Sequence, residues 1–207
     1  HVTINTFKHT LDKEEFKNHT AGIVLQTYLP DTLPILEGLL EWAKKRVKNG
    51  GAPIKVRLVK GANLQMENVY SALDNLDSPI YESKIEVDAN FKRIIKYAIH
   101  KDRMPYIHIG LGSHNLFDIA YTWIRVEKEG LQKYFTFEIL EGMSDHLALF
   151  LQKHVHQTLL YTPVVRSEQF FYAIAYLFRR LDENSGPQNF LKHAFGLTSK
   201  SKNWNHL

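Results

Sequence analysis

What most limits the fold open to this chain is an alternation. Five short apolar stretches are strand-like: 21–29 (AGIVLQTYL), 53–61 (PIKVRLVKG), 105–112 (PYIHIGLG), 134–142 (YFTFEILEG) and 158–165 (TLLYTPVV). Segments of helical period lie between them. The clearest is 33–48, where Leu33, Leu36, Leu39, Leu40, Trp42 and Ala43 mark one apolar face. Others cover 65–76, 88–101, 115–129, 144–154 and 167–183. Strands that alternate with helices rejoin their sheet in parallel through right-handed crossovers, so the order reads as α/β with a parallel sheet. Residues 1–20 are polar and read as a connection from an upstream part, and 194–207 as a polar tail or linker to a following domain.

Two parallel architectures compete. A doubly wound dinucleotide fold carries G-x-G-x-x-G between its first strand and helix. The nearest approach is Gly110-Leu111-Gly112, which lacks the third glycine and runs into Ser113-His114-Asn115. A barrel instead gathers its functional groups at the C-terminal ends of the strands. Gln26 and Tyr28, Lys60, Ser113-His114-Asn115, Glu138 and Glu141, and Tyr161 all fall there. A complete barrel needs eight units and about 250 residues. Five units in 207 residues make an incomplete one, with part of the fold expected upstream.

Composition removes several chemistries. There is no cysteine, hence no disulfide, thiolate metal site or thiol catalysis. The formal charge of +4 is mild and dispersed, which argues against nucleic acid as a partner of this segment. The basic run Lys44-Lys45-Arg46-Val47-Lys48 closes a helical segment, where cations complement the helix dipole. No apolar run approaches the ~20 residues of a spanning helix. No H-E-x-x-H is present, so no metal site is expected, and His154 with His156 read as a helix end. The chain opens on His1 and ends in SKSKNWNHL, which reads as a segment of something longer.

The stretch Val56-Arg57-Leu58-Val59-Lys60-Gly61-Ala62-Asn63 runs two cations through an apolar strand and stops on a glycine. Either the cations face water at a rim, or they stand at the mouth of a site for something electron-rich. Arg179 and Arg180 lie four and three residues before Glu183, so both can reach its carboxylate on a helix surface. Adjacent arginines are also what a solvated face looks like. Tyr161 reads equally as a core, rim or site tyrosine. Ser113 beside His114 does not make a hydrolase, because neighbours on a strand point to opposite sides and no G-x-S-x-G is present.

Four motifs, VRLVKGA (56–62), SHN (113–115), YTPV (161–164) and RRLDEN (179–184), follow in the order and rough spacing of the flavin-dependent proline dehydrogenase domain. The chain resembles that family over residues 21–193, most nearly the domain inside bifunctional proline utilization A enzymes. The resemblance implies a (β/α)8 barrel of which these are the last five units, and FAD as cofactor. It implies oxidation of L-proline to Δ1-pyrroline-5-carboxylate, with a membrane quinone as electron acceptor. It further implies an aldehyde dehydrogenase in the parent chain and a cytoplasmic location, held peripherally at the inner face of the membrane. By similarity Arg57 approaches the isoalloxazine, while Val59, Lys60, Gly61 and Ala62 run along the cofactor. Gln26 and Glu138 contact the flavin ring, Ser113, His114 and Asn115 the flavin and its phosphate chain, and Asn189 and Phe190 the adenosine end. Arg179 and Arg180 grip the substrate carboxylate and Glu183 holds them. Tyr161 packs on the proline ring and Leu140 forms part of its apolar wall.

The sequence also departs from the family. Asn63 and Leu64 replace aromatics, Val87 stands where a cofactor-bonding threonine is common, and Glu138 where a glutamine is common. The substrate-site lysine and aspartate of the family's early strands have no counterpart in this segment. Two other readings stay open: another flavin barrel such as methylenetetrahydrofolate reductase, and an inactive structural fragment of the barrel.

Overall fold

The structure is a computed structural model; it describes residues 2–61 and 64–185, without the side chains of 64, 65 and 182–185. Five strands, β1 (Gly22–Gln26), β2 (Ile54–Val59), β3 (Ile107–Gly112), β4 (Phe135–Leu140) and β5 (Thr158–Tyr161), form one sheet in sequence order. Every neighbouring pair is parallel. The helices are α1 (Val2–Leu11), α2 (Thr32–Lys48), α3 (Leu64–Leu73), α4 (Lys84–Ala98), α5 (Leu116–Glu129), α6 (Asp145–His154) and α7 (Phe170–Ser185). The expected α/β class and parallel order are therefore present, with strand ends a few residues inside the expected ones.

The period-two alternation sorts the strands into two faces. Ile54, Val56 and Leu58 of β2, Ile107 and Ile109 of β3, and Phe137 and Ile139 of β4 are buried in the main core. They pack with Leu36 and Leu39 from α2 and Phe91 and Ile94 from α4. The opposite face is different. The register aligns Val24 with Arg57, Arg57 with Gly110, Gly112 with Glu138, and Leu140 with Tyr161. This face carries charge and glycine, and at β1 it shows Val24 47% exposed.

The first twenty residues are more than a polar connection. Ile4 and Phe7 of α1 and Phe16 pack on the core, and Leu11 is buried within it. Their anchor is Arg46, expected from sequence only to complement a helix dipole and in fact 8% exposed. Its Nε donates to the Ala52 carbonyl at 3.0 Å and its Nη2 to the carbonyls of Phe16 at 2.7 Å and Lys17 at 2.9 Å. A further bond from Nη1 reaches the Leu11 carbonyl. The planar guanidinium, with donors all round its rim, satisfies carbonyls that the turn at Glu14–Phe16 leaves inside.

The helix expected from 88 begins earlier, at Lys84. Ser83 accepts from the Glu86 N–H and the Glu86 carboxylate accepts from the Ser83 N–H, a reciprocal cap. At the other end of the chain, α7 shows its apolar residues: Phe171 is 82% and Phe178 67% exposed. No helix among the described residues is long and apolar enough to cross a membrane.

Candidate active site

Charge on the open face of the sheet begins with β2. Lys55 and Arg57 are two residues apart, so both project to the same side, and neither has a partner on the adjacent β3. Their partner is Glu138, one strand further on in β4. Lys55 Nζ lies 2.6 Å from Glu138 Oε1, and Arg57 Nε lies 2.8 Å from Oε2. The carboxylate is fully enclosed, while the two cations keep 28% and 21% of their side chains exposed.

To reach Glu138 these side chains must cross β3, and the sequence of β3 explains how. Gly110 and Gly112 lie beneath the bridge. A Cβ at Gly110 would stand 2.7 Å from Glu138 Cδ, closer still to its Oε1, and 3.0 Å from Lys55 Cε. At Gly112 it would meet Val59 Cγ1 at 2.8 Å and Arg57 Nε at 3.2 Å. The Gly-x-Gly that fails as a dinucleotide motif is a clearance for an ion bridge between non-adjacent strands.

Arg57 is held from a second side, its Cζ lying 4.0 Å from the centroid of the Tyr161 ring at the end of β5. Burial, and then the nearby Glu138 carboxylate, raise the pKa of the Tyr161 phenol, so it stays protonated at neutral pH. His114, just past β3, accepts a hydrogen bond from the Leu140 N–H at 3.2 Å and so ties the ends of β3 and β4. Burial lowers its pKa, and the charge of Arg57 adds to this, which keeps the imidazole neutral.

Lys60 takes the opposite direction. Three residues beyond Arg57, it falls on the helix-facing side, and its Nζ lies 2.5 Å from Asp88 Oδ1 and 2.8 Å from Asp118 Oδ2. Burial alone would lower its pKa, but Asp118 and Asp88 outweigh that and raise it. The two cations that look paired in the sequence therefore serve separate places. Asp118 also accepts from Ser113 Oγ at 3.3 Å, while Asn115 Oδ1 accepts from the Phe117 N–H at 2.9 Å and caps α5. What Lys60, Ser113 and Asn115 could offer a cofactor is thus chiefly backbone.

Gly61 has φ +130°, a conformation glycine tolerates, and a Cβ there would sit 2.6 Å from two carbons of the Tyr28 ring. The glycine lets Tyr28 pack against the strand end. Burial, then Glu67, pushes the Tyr28 phenol up to about 12. Val87 packs with Tyr28 and Ile80, an apolar role for the residue that departs from the family.

The remaining expected residues are placed more loosely. Gln26 ends β1 beside Val59 and is half-buried. Arg179 is exposed on α7, and Arg180 is half-buried with its Cζ 5.5 Å from the Tyr176 ring. Ala62, Asn63, Asn189 and Phe190, and the side chains of Leu64 and Glu183, lie outside what the structure describes. Sequence reasoning missed Lys55, Asp88 and Asp118. Lys55 was detectable, because any residue two from Arg57 shares its face; the aspartates carry no local mark.

Comparison with known proteins places this geometry in a family. Proline utilization A from Corynebacterium freiburgense superposes with a TM-score of 0.85 at 44% identity, over 89% of this chain and 19% of that one. Bovine hydroxyproline dehydrogenase is 26% identical over 77% of this chain and 34% of its own length. The bifunctional protein PutA of Rhizobium meliloti is 29% identical over 82% of this chain and 13% of its own. The chain thus spans between 13% and 34% of the length of these relatives. The proline dehydrogenase family model matches residues 1–193, nearly the whole sequence, and the chain belongs to the proline dehydrogenase family.

Proposed function

We propose that this chain is the C-terminal part, the last five units, of an FAD-dependent proline dehydrogenase barrel that oxidises L-proline to Δ1-pyrroline-5-carboxylate. The observation that carries the reading is the placement of Arg57 over the Tyr161 ring at the C-terminal strand ends, in a chain of this family. The polar face suits a flavin on chemical grounds. Gly112 leaves room where a side chain would crowd Arg57 and Val59, and Arg57 supplies a cation that an electron-rich ring favours. The bound flavin would accept the hydride from proline C5.

Everything else falls to the chain. Arg57 sets a fixed positive charge where negative charge develops. Tyr161 and Leu140 present ring and methyl surface to the pyrrolidine, and Gln26 an amide to the flavin edge. Arg179 and Arg180 grip the substrate carboxylate with planar forks, and Glu183 orients them. A bound FAD would be held by backbone of Val59, Lys60, Gly61 and Ala62 and of Ser113, His114 and Asn115, and Asn189 and Phe190 would serve its adenosine end. The parent would deliver electrons to a membrane quinone from the cytoplasmic side, held there peripherally, and pass its product to a linked aldehyde dehydrogenase.

An open polar face, with Val24 and Leu159 exposed at the two edge strands, favours a companion reading of the segment in isolation. A parallel sheet normally has both faces covered. The chain by itself is then expected to turn over little proline, and the full-length protein to do so readily. The test is flavin absorbance in the full-length protein and its bleaching under anaerobic addition of proline. Bleaching by a folate or a hydroxy acid, with none by proline, would overturn the assignment.

A further inference from the structure

The Lys55–Glu138–Arg57 bridge asks why a site that benefits from one cation should build a buried carboxylate against it. Alone, Glu138 would cancel Arg57, and an enclosed ion pair is a weak device for stability in its own right. Lys55 changes the balance. Its ammonium takes Oε1 at 2.6 Å and leaves Oε2 to Arg57 at 2.8 Å, so each oxygen has its own cation. Nε of Arg57 makes an ion-pair contact there without hydrogen-bond alignment, and its Cζ lies over Tyr161, so the guanidinium is held between two different strands.

We propose that Lys55 is a positioning residue of this site. Acting across β3 through Glu138, it orients Arg57 and offsets the carboxylate, so that the cluster keeps one net positive charge for an electron-rich ligand. The proposal rests on the flavin reading above for the identity of that ligand. It assigns Lys55 and Glu138 as one unit. Glutamine at 138 beside Lys55 would leave two cations without a counter-charge, and removal of Lys55 would leave Arg57 and Glu138 neutral together.

The test is a double-mutant cycle in the full-length, flavin-loaded protein with Lys55→Met, Glu138→Gln and both, and Lys55→Arg as the conservative variant. The first readout is the flavin midpoint potential. Lys55→Met should shift the two-electron reduction equilibrium toward the oxidised form by about tenfold, or ~30 mV. Glu138→Gln should shift it comparably the other way, and the double variant should return to within about threefold of wild type. Lys55→Arg should leave it in place. The second readout is melting of the flavin-free protein, where each single change should cost more than the double. Melting that couples while the potentials do not move would make the bridge purely structural and overturn the proposal. So would potentials that add without compensation. A single variant that fails to fold leaves the double and Lys55→Arg to decide. A wild-type protein that takes up no flavin would instead refute the flavin reading, while the flavin-free melts still report whether Lys55 and Glu138 act together.

Discussion

Gly110→Ala should be far more damaging than its single methyl group suggests. The new Cβ would stand 2.7 Å from Glu138 Cδ, a separation that side-chain carbons do not hold, with Oε1 nearer still. Glu138 cannot swing away cheaply, because its side chain is fully enclosed and both oxygens are committed at 2.6 Å and 2.8 Å. Breaking an enclosed ion pair costs about 3–5 kcal/mol. That falls to about 2–4 kcal/mol because Lys55 and Arg57 can turn partly to water, and a bridge that holds instead suffers crowding of about 1–3 kcal/mol. A net loss of about 2–4 kcal/mol follows. Gly130→Ala serves as the control: it has a positive φ of +68° but nothing within 4 Å of a new Cβ, so it should lose only ~1 kcal/mol. The assay is chemical denaturation of the full-length protein followed by tryptophan fluorescence, repeated in a Glu138→Ala background. There Gly110→Ala should become nearly neutral. If Gly110→Ala matches Gly130→Ala, or costs as much with Glu138 gone, no ion bridge crosses β3.

Further consequences can be checked independently. Arg46→Met should destabilise the fold by about 2–4 kcal/mol, since several enclosed carbonyls would lose their donor together; unchanged denaturation midpoints would contradict the anchoring role. His114 has its pKa lowered below the usual 6.5, so the unfolded chain binds the proton more readily than the folded one. Its contribution is therefore complete above pH 6.5 and is lost as pH falls through the lower folded value. His114→Gln should flatten that part of the stability profile, and an unaltered acid slope would refute it. In the full-length protein, Arg180→Met should raise the KM for proline by about 10–100-fold, the worth of a charge-assisted hydrogen bond; an unchanged KM would remove Arg180 from the substrate carboxylate.

Much of the architecture was written locally. Alternation in Ile54-Lys55-Val56-Arg57-Leu58-Val59 and the apolar stripe of α2 reflect interactions at two, three or four residues' distance, and those periods survive in any linear string. Arg57 and Tyr161 stood out only through the family resemblance, and the fold brings them into contact. Tertiary structure alone decided the rest. Only the register reveals that Lys55 meets a carboxylate 83 positions away, and that Gly110 must lack a side chain for it to do so. Only the packed helices show that Lys60 turns from Arg57 toward Asp88 and Asp118, and that Arg46 leaves a basic run to hold the carbonyls of the first segment. The physical reason is that a charge in a sequence has a sign but no direction, and its partner is chosen by which face of which element burial has turned toward it.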